Sequence, residues 1–190
     1  GICGGCLYQP IPYEEQLAIK EKQVRSLLDA VCPEYEFEGI LGSPLVQGYR
    51  NKMEFSFGDE VKDGPMSLGM HKRGSFYDVV TTGECHIVHP DFCKILVCTK
   101  EYFEEKKVGF YKKMQHTGYL RHLLVRRAVK TGEILVALVT SGQTENLGAT
   151  EEYTTPVSEQ ELLAGWLSCM QALELEGTFA GILHIRNDSL

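Results

Sequence analysis

The segment Cys3-Gly-Gly-Cys6 sets two thiols close together, with glycines between them that let the backbone turn tightly enough to aim both sulfurs at one centre. Thiolates in that arrangement suit zinc or an iron–sulfur cluster, and the same spacing serves a dithiol redox pair. A thioredoxin-like pair has its first thiol at a helix start, where the dipole lowers its pKa. Here the next expected helix begins several residues later, which argues against that centre. Cys85, followed by His86 and His89, adds donors further along. Zinc held by Cys3, Cys6, Cys85 and one of those histidines is an alternative occupant, although a single histidine is more often an ordinary surface residue. Cys32, Cys93, Cys98 and Cys169 complete an odd set of seven that does not look like a disulfide framework. They read as buried or semi-buried thiols in a reducing compartment, with Cys93 or Cys98 a minor possibility as substitute ligand.

A second chemistry lies in the charge pattern. The net charge of −7 is unlike a nucleic-acid binder, but residues 1–140 hold 18 bases and 18 acids, and residues 141–190 hold one base and eight acids. Within the neutral part, Lys106 to Lys130 carries eight bases and no acid, interleaved with Phe110, Tyr111, Tyr119, His116 and His122. Cations for phosphates and rings for bases are how single-stranded RNA is held. Any one of these lysines is more often a solvated surface charge; the stripe as a whole points to RNA through Lys112, Lys113, Arg121, Arg126 and Arg127. Arg121 and Arg126 sit five apart on one expected strand, so they share a face only if the strand is bulged. Arg50 and Lys52, with His71, Lys72 and Arg73, form a second basic patch. Asp59, Glu60 and Asp63 read as a solvated turn, and Glu151, Glu152, Glu159 and Glu161 as a solvated acidic face.

These groups need elements to position them. Pro12, Glu14 and Glu15 open a helix over 13–31 whose Leu17, Val24, Leu27, Leu28 and Val31 recur at helical spacing. Met53, Phe55 and Phe57 alternate with Glu54, Ser56 and Gly58 as a half-buried strand. Asp63-Gly64 turns it into a second strand over 67–72, and a third is expected over 76–80. Pro90 opens a helix over 90–107 with Ile95, Leu96, Tyr102 and Phe103 inward. Strands at 122–129 and 133–140 form a hairpin through Lys130-Thr131-Gly132. A polar loop at 141–156, a helix at 158–175 and a strand at 181–185 complete the chain. The expected fold is α+β: a mainly antiparallel sheet with about three helices. No apolar run is long enough to span a bilayer and no leader opens the chain, which points to the cytoplasm.

The run from Cys3 to Gln9, with Tyr13-Glu-Glu-Gln-Leu17, Tyr49-Arg-Asn-Lys52, Leu68-Gly-Met-His71, Glu84-Cys-His-Ile87 and Leu120-Arg-His122, resembles the RNA uracil-5-methyltransferases. The resemblance covers Cys3 to about Ser141. It implies that Cys3, Cys6 and Cys85 ligate a 4Fe–4S cluster with one further cysteine six residues ahead of Cys3, a position before Gly1, so the cluster is expected to be incomplete in this chain. It also implies an enzyme in which a cysteine thiolate adds to C6 of uracil, C5 takes a methyl from S-adenosylmethionine, and a base removes the C5 proton. The cofactor loop, that cysteine and that base have no match in these 190 residues. Residues 1–190 are therefore expected to be the central, RNA-contacting domain of a longer methyltransferase, with 1–12 its cluster-binding segment, and to be inactive alone. Expected partners are structured RNA, ribosomal or transfer, with no membrane and no DNA, the protein being a monomer. The rival readings are a stand-alone metal-binding module and a Cys-x-x-Cys redox protein.

Overall fold

The computed structural model describes residues 2–32, 34–149 and 156–189. They form two compact units, one of Cys6–Val46 and one of Ile2–Gly5 with Gln47–Leu190.

The smaller unit is one helix and the strand-less chain that returns along it. Helix α1, Tyr13–Val31, starts after Pro12 with Glu14 and Glu15 in its first turn. The returning segment is pinned by Tyr35, whose hydroxyl donates to Asp29 Oδ1 at 2.7 Å, and by Arg25, whose guanidinium lies 3.9 Å from the Phe37 ring centroid. Ser43 N donates to the Tyr13 hydroxyl at 2.5 Å. Despite its helical periodicity, α1 buries no residue, and Leu27 and Val31 are 72% and 80% exposed.

The larger unit is a six-stranded sheet with two helices. Its elements are β1 (Lys52–Asp59), β2 (Met66–His71), β3 (Val79–Thr81), α2 (Pro90–Glu105), β4 (Leu120–Arg127), β5 (Glu133–Thr140), α3 (Glu159–Gln171) and β6 (Thr178–Arg186), and the strand order is β3-β2-β1-β4-β5-β6. All neighbours are antiparallel except β5 and β6, which run parallel. The sheet is thus mainly antiparallel, as expected, but mixed, with one parallel pairing at its β6 edge. The cause is the connection: α3 lies between β5 and β6 and returns the chain to the same end, as a parallel crossover requires.

The alternation on β1 places Met53, Phe55 and Phe57 on one face of the sheet, and α2 covers them with Phe92, Ile95, Leu96 and Phe103. Phe57 meets Phe103 edge to face, with centroids 6.2 Å apart. Two buried hydrogen bonds fasten α3 to α2: Trp166 Nε1 donates to Thr99 Oγ1 at 3.1 Å and the Tyr102 hydroxyl to the Leu162 carbonyl at 2.8 Å. The starts of α2 and α3 are both capped. His89 Nδ1 accepts from Asp91 N ahead of Pro90, and Ser158 with Glu161 closes a capping box on α3. The Asp91 carboxylate, fully buried, accepts from Glu176 N and Gly177 N, both at 3.0 Å, and so joins the start of α2 to the entry of β6.

Two expected boundaries move with consequences. β3 covers 79–81 and not 76–80, which leaves Phe76 and Tyr77 in a loop, 87% and 62% exposed. On β4, pairing with β5 shifts register between Leu120 and His122, so a bulge falls at Arg121. The expected 141–156 loop lies partly outside the described residues.

Candidate functional site

The face of the sheet away from α2 and α3 carries a cavity of about 350 Å³. Its floor is β1 at Ser56–Gly58 together with His122 of β4; one wall is His71, at the end of β2, with Phe76 and Tyr77; the other is the segment 110–115. That second wall is a small hairpin held by the Lys112↔Thr117 and Phe110↔Leu120 bridges. Gly118 lets it form: its φ is +117°, and a side chain there would strike the Phe110 carbonyl. Lys112 Nζ meets Asp63 Oδ1 at 2.7 Å and tethers the hairpin to the β1–β2 turn.

Arg121 faces this cavity because of the bulge. Its Nη1 donates to the Asn187 carbonyl at 2.6 Å, and its guanidinium stacks over the Tyr111 ring, 4.4 Å from the centroid. Tyr111 and Arg121 thus form a fixed platform, with Lys113 exposed beside it. The two histidines are kept neutral near pH 7. Burial pushes the His122 imidazole below its ordinary range against the pull of Glu54, and Lys113 and Arg121 push it further. Burial and then Lys113 do the same to His71, opposed by a hydrogen bond to the Asp78 backbone. His122 Nδ1 lies 3.4 Å from Ser56 Oγ, and His71 Nδ1 is buried with no partner. A neutral, aromatic interior with cations at its rim suits a flat polar ligand attached to an anion.

The basic stripe does not act as one surface. Lys112, Lys113 and Arg121 border the cavity and Arg126 is exposed on β4. Arg127 turns the other way, with Nε buried and 3.8 Å from Asp91 Oδ2, which makes it a structural cation at the base of α2. Arg50 and Lys52 are exposed at the start of β1, where the Arg50 Nε donates to the Lys52 carbonyl at 3.2 Å. Phe76 and Tyr77, the most exposed rings of the cavity, were missed by sequence reasoning because an apolar pair before Val79-Val80 reads as strand.

The acids of the β1–β2 turn are exposed as expected, whereas those of α3 correct the sequence reading. Asp63 and Glu60 are paired, with Lys112 and Lys72. Glu159 is no solvated charge: its carboxylate takes the Tyr119 hydroxyl at 3.0 Å and the Arg186 guanidinium, with His184 Nε2 at 3.9 Å. Glu161 is the capping-box acid, and Glu151 and Glu152 lie outside the described residues.

No disulfide joins the seven cysteines. Cys3 is bridged to Lys72, and Gly4 N donates to the His71 carbonyl at 3.0 Å, so residues 2–5 extend the edge of β2. Cys85 is half-buried against the core, its carbonyl taking the Cys93 thiol at 3.7 Å. Cys6 belongs to the smaller unit. No group of three His, Cys, Asp or Glu side chains among the described residues is placed to hold a metal ion, His86 and His89 included. The thiols fit an iron–sulfur site in donor chemistry alone. Cys32, expected buried or semi-buried, is exposed. Cys98 is half-buried, and burial pushes its thiol up to about 11. None of the described helices is long and apolar enough to cross a membrane.

No family model matches the chain. It is 46% identical over 191 residues to an uncharacterized RNA methyltransferase of Clostridium acetobutylicum, covering all of this chain and 39% of the relative. A tRNA (uracil(54)-C(5))-methyltransferase of Pyrococcus furiosus is 33% identical over 140 residues, 74% of this chain and 31% of that one. Among solved structures, the Pyrococcus abyssi tRNA (uracil-54, C5)-methyltransferase in complex with S-adenosyl-L-homocysteine superposes with a TM-score of 0.57 at 28% identity, over 80% of this chain and 34% of that chain. The chain thus spans about two-fifths of the length of the first of these relatives, with 39% covered.

Proposed function

This chain belongs to the RNA methyltransferase family, and we propose that the protein it is part of transfers a methyl group from S-adenosylmethionine to C5 of a uracil in structured RNA, with this segment holding the RNA. The observation that carries the reading is the alignment of the whole chain, at 46% identity, with an RNA methyltransferase. The open face of the sheet supports it: exposed rings, a Tyr111–Arg121 platform and the cations Lys113 and Arg126 are the groups that bind a single strand. The same whole-length alignment disfavours a stand-alone metal-binding or redox module.

The segment's part is to bind and orient. Arg50, Lys52, Lys113 and Arg126 supply exposed charge for phosphates, and Arg121 supplies a fixed one. Arg127, occupied by Asp91, contributes nothing to RNA. Ligation of a 4Fe–4S cluster by Cys3, Cys6 and Cys85 rests on the resemblance and on thiolate chemistry, and no step here passes through a cluster. Iron and sulfide assays on the full-length protein and its Cys85→Ser variant test that part: equal iron in both removes Cys85 from the ligand set.

For the activity, the full-length protein is incubated with transfer or ribosomal RNA and methyl-labelled S-adenosylmethionine, and the RNA is digested to nucleosides. Label in 5-methyluridine is expected. Label confined to another nucleoside would replace the uracil-C5 reading. Lys113→Gln with Arg126→Gln should weaken RNA binding and flatten its salt dependence by about 0.7–0.9 in log–log slope for each phosphate no longer neutralised.

A further inference from the structure

We propose that the cavity on the open sheet face is a receptor for one unpaired nucleobase of the RNA, stacked against Phe76 or Tyr77 and the Tyr111–Arg121 platform. This rests on the RNA-binding reading and names what the site takes. The argument begins with shape. A volume of about 350 Å³ falls in the range of pockets that bury small ligands, and it exceeds what a phosphate needs. The interior chemistry favours a base over an anion. His71, His122 and Ser56 offer neutral hydrogen-bonding groups on the open face.

The rim supplies the remainder of a nucleotide. Lys113 is exposed, and the guanidinium of Arg121 is held by the Asn187 carbonyl, so it meets a phosphate without first being ordered. Of the three acids around the cavity, Asp63 is neutralised by Lys112 at 2.7 Å, Asp59 accepts from Asp63 N at 2.8 Å in the turn, and Asp78 lies beside Tyr77 on the wall away from Lys113 and Arg121. Phe76 and Tyr77, 87% and 62% exposed, are adjacent rings at the cavity wall on which a base can stack. A paired base has both faces covered by its neighbours, so only an unstacked one can enter.

The test uses the full-length protein and three RNA probes of about 12 nucleotides, close to the span of one single-strand-binding fold: a single strand, the same strand in duplex, and single strands with one abasic position each. The wild type is expected to prefer the single strand over the duplex and to lose about tenfold in affinity at one abasic position. Phe76→Ala with Tyr77→Ala, both at exposed positions, should cost about tenfold on the single strand, abolish sensitivity to the abasic site and leave duplex binding unchanged. Tyr77→Trp should retain the preference, and Tyr111→Phe should behave as wild type where Tyr111→Ala does not. Loss of single-strand and duplex binding in equal measure, or unchanged binding by the double variant, overturns the receptor while leaving RNA binding intact. Failure of the wild type to bind any probe at low salt overturns both.

Discussion

The two faces of the sheet are built from the same strands and solve opposite problems. Toward α2 and α3 the buried polar side chains are paired internally at several points: Trp166 on Thr99, Tyr102 on Leu162, Asp91 on two backbone amides. Toward the open side, rings stand in solvent, the buried His71 Nδ1 has no partner and Arg121 is held out over Tyr111. Alternation along β1 and β4 sends one set of residues to each side, so one stretch of sequence supplies the core and the proposed recognition surface separately. Changes on the covered face should alter stability with little effect on affinity per folded molecule, and changes on the open face the reverse.

Phe103→Ala is the strongest test of that division. Removing a fully buried ring that packs on Phe57, Tyr102 and Trp166 should destabilise the protein by about 3–5 kcal/mol in denaturant unfolding. RNA affinity, corrected for the folded fraction, should not change. Asp91→Ala should cost about 2–3 kcal/mol, because it strands the amides of Glu176 and Gly177 and the partly buried Arg127. Pairing it with Arg127→Met should recover part of that loss if the cation's role is structural; a double variant with an RNA defect of its own would return Arg127 to the RNA surface. Gly118→Ala should cost more than about 1 kcal/mol, since its backbone lies at φ +117° and the new methyl would strike Phe110. Because that change acts on the cavity wall, it should also weaken single-strand binding, unlike the other two.

The smallest effect expected is with pH. His71, His122 and His184 are each held below the ordinary imidazole value, first by burial. The unfolded chain then takes up protons that the folded one refuses, so stability is complete above about pH 6.5 and falls as pH drops below it. Denaturation midpoints measured from pH 8 to pH 5 should show that slope, and His122→Gln should flatten it. An unchanged slope would mean that His122 is solvated and that the open face is less shielded than its geometry indicates.

Much of this was legible in the residues. Pro12 and Pro90 marked the starts of α1 and α2, Ile95, Leu96, Tyr102 and Phe103 marked the buried side of α2, and β5 and α1 fell on their expected boundaries. The spacing of Arg121 and Arg126 lets them share a face only through a bulge, and β4 carries one at Arg121. Other features were not legible, for physical reasons. Periodicity says that Val24, Leu27 and Val31 share a face, but not that anything covers it, and here they are exposed. Strand direction depends on how α3 returns the chain, which a run of β-formers does not encode. Arg127 and Arg126 are the same residue type side by side, and only the position of Asp91, far off in sequence, separates the structural cation from the free-standing one. The capping box at Ser158 and Glu161 was a readable signal that would have shown Glu161 to be part of the helix start.

The bond from Arg121 to the Asn187 carbonyl joins residues 66 apart in the chain. The Tyr111 hairpin is local and can close early, whereas its guanidinium lid is fixed only after β6 has docked on β5. A contact over such a separation carries a larger loop-closure entropy cost than a local hairpin. The hairpin is therefore expected to close before the cavity is complete, so a chain still folding would show its basic stripe before Arg121 is held in place.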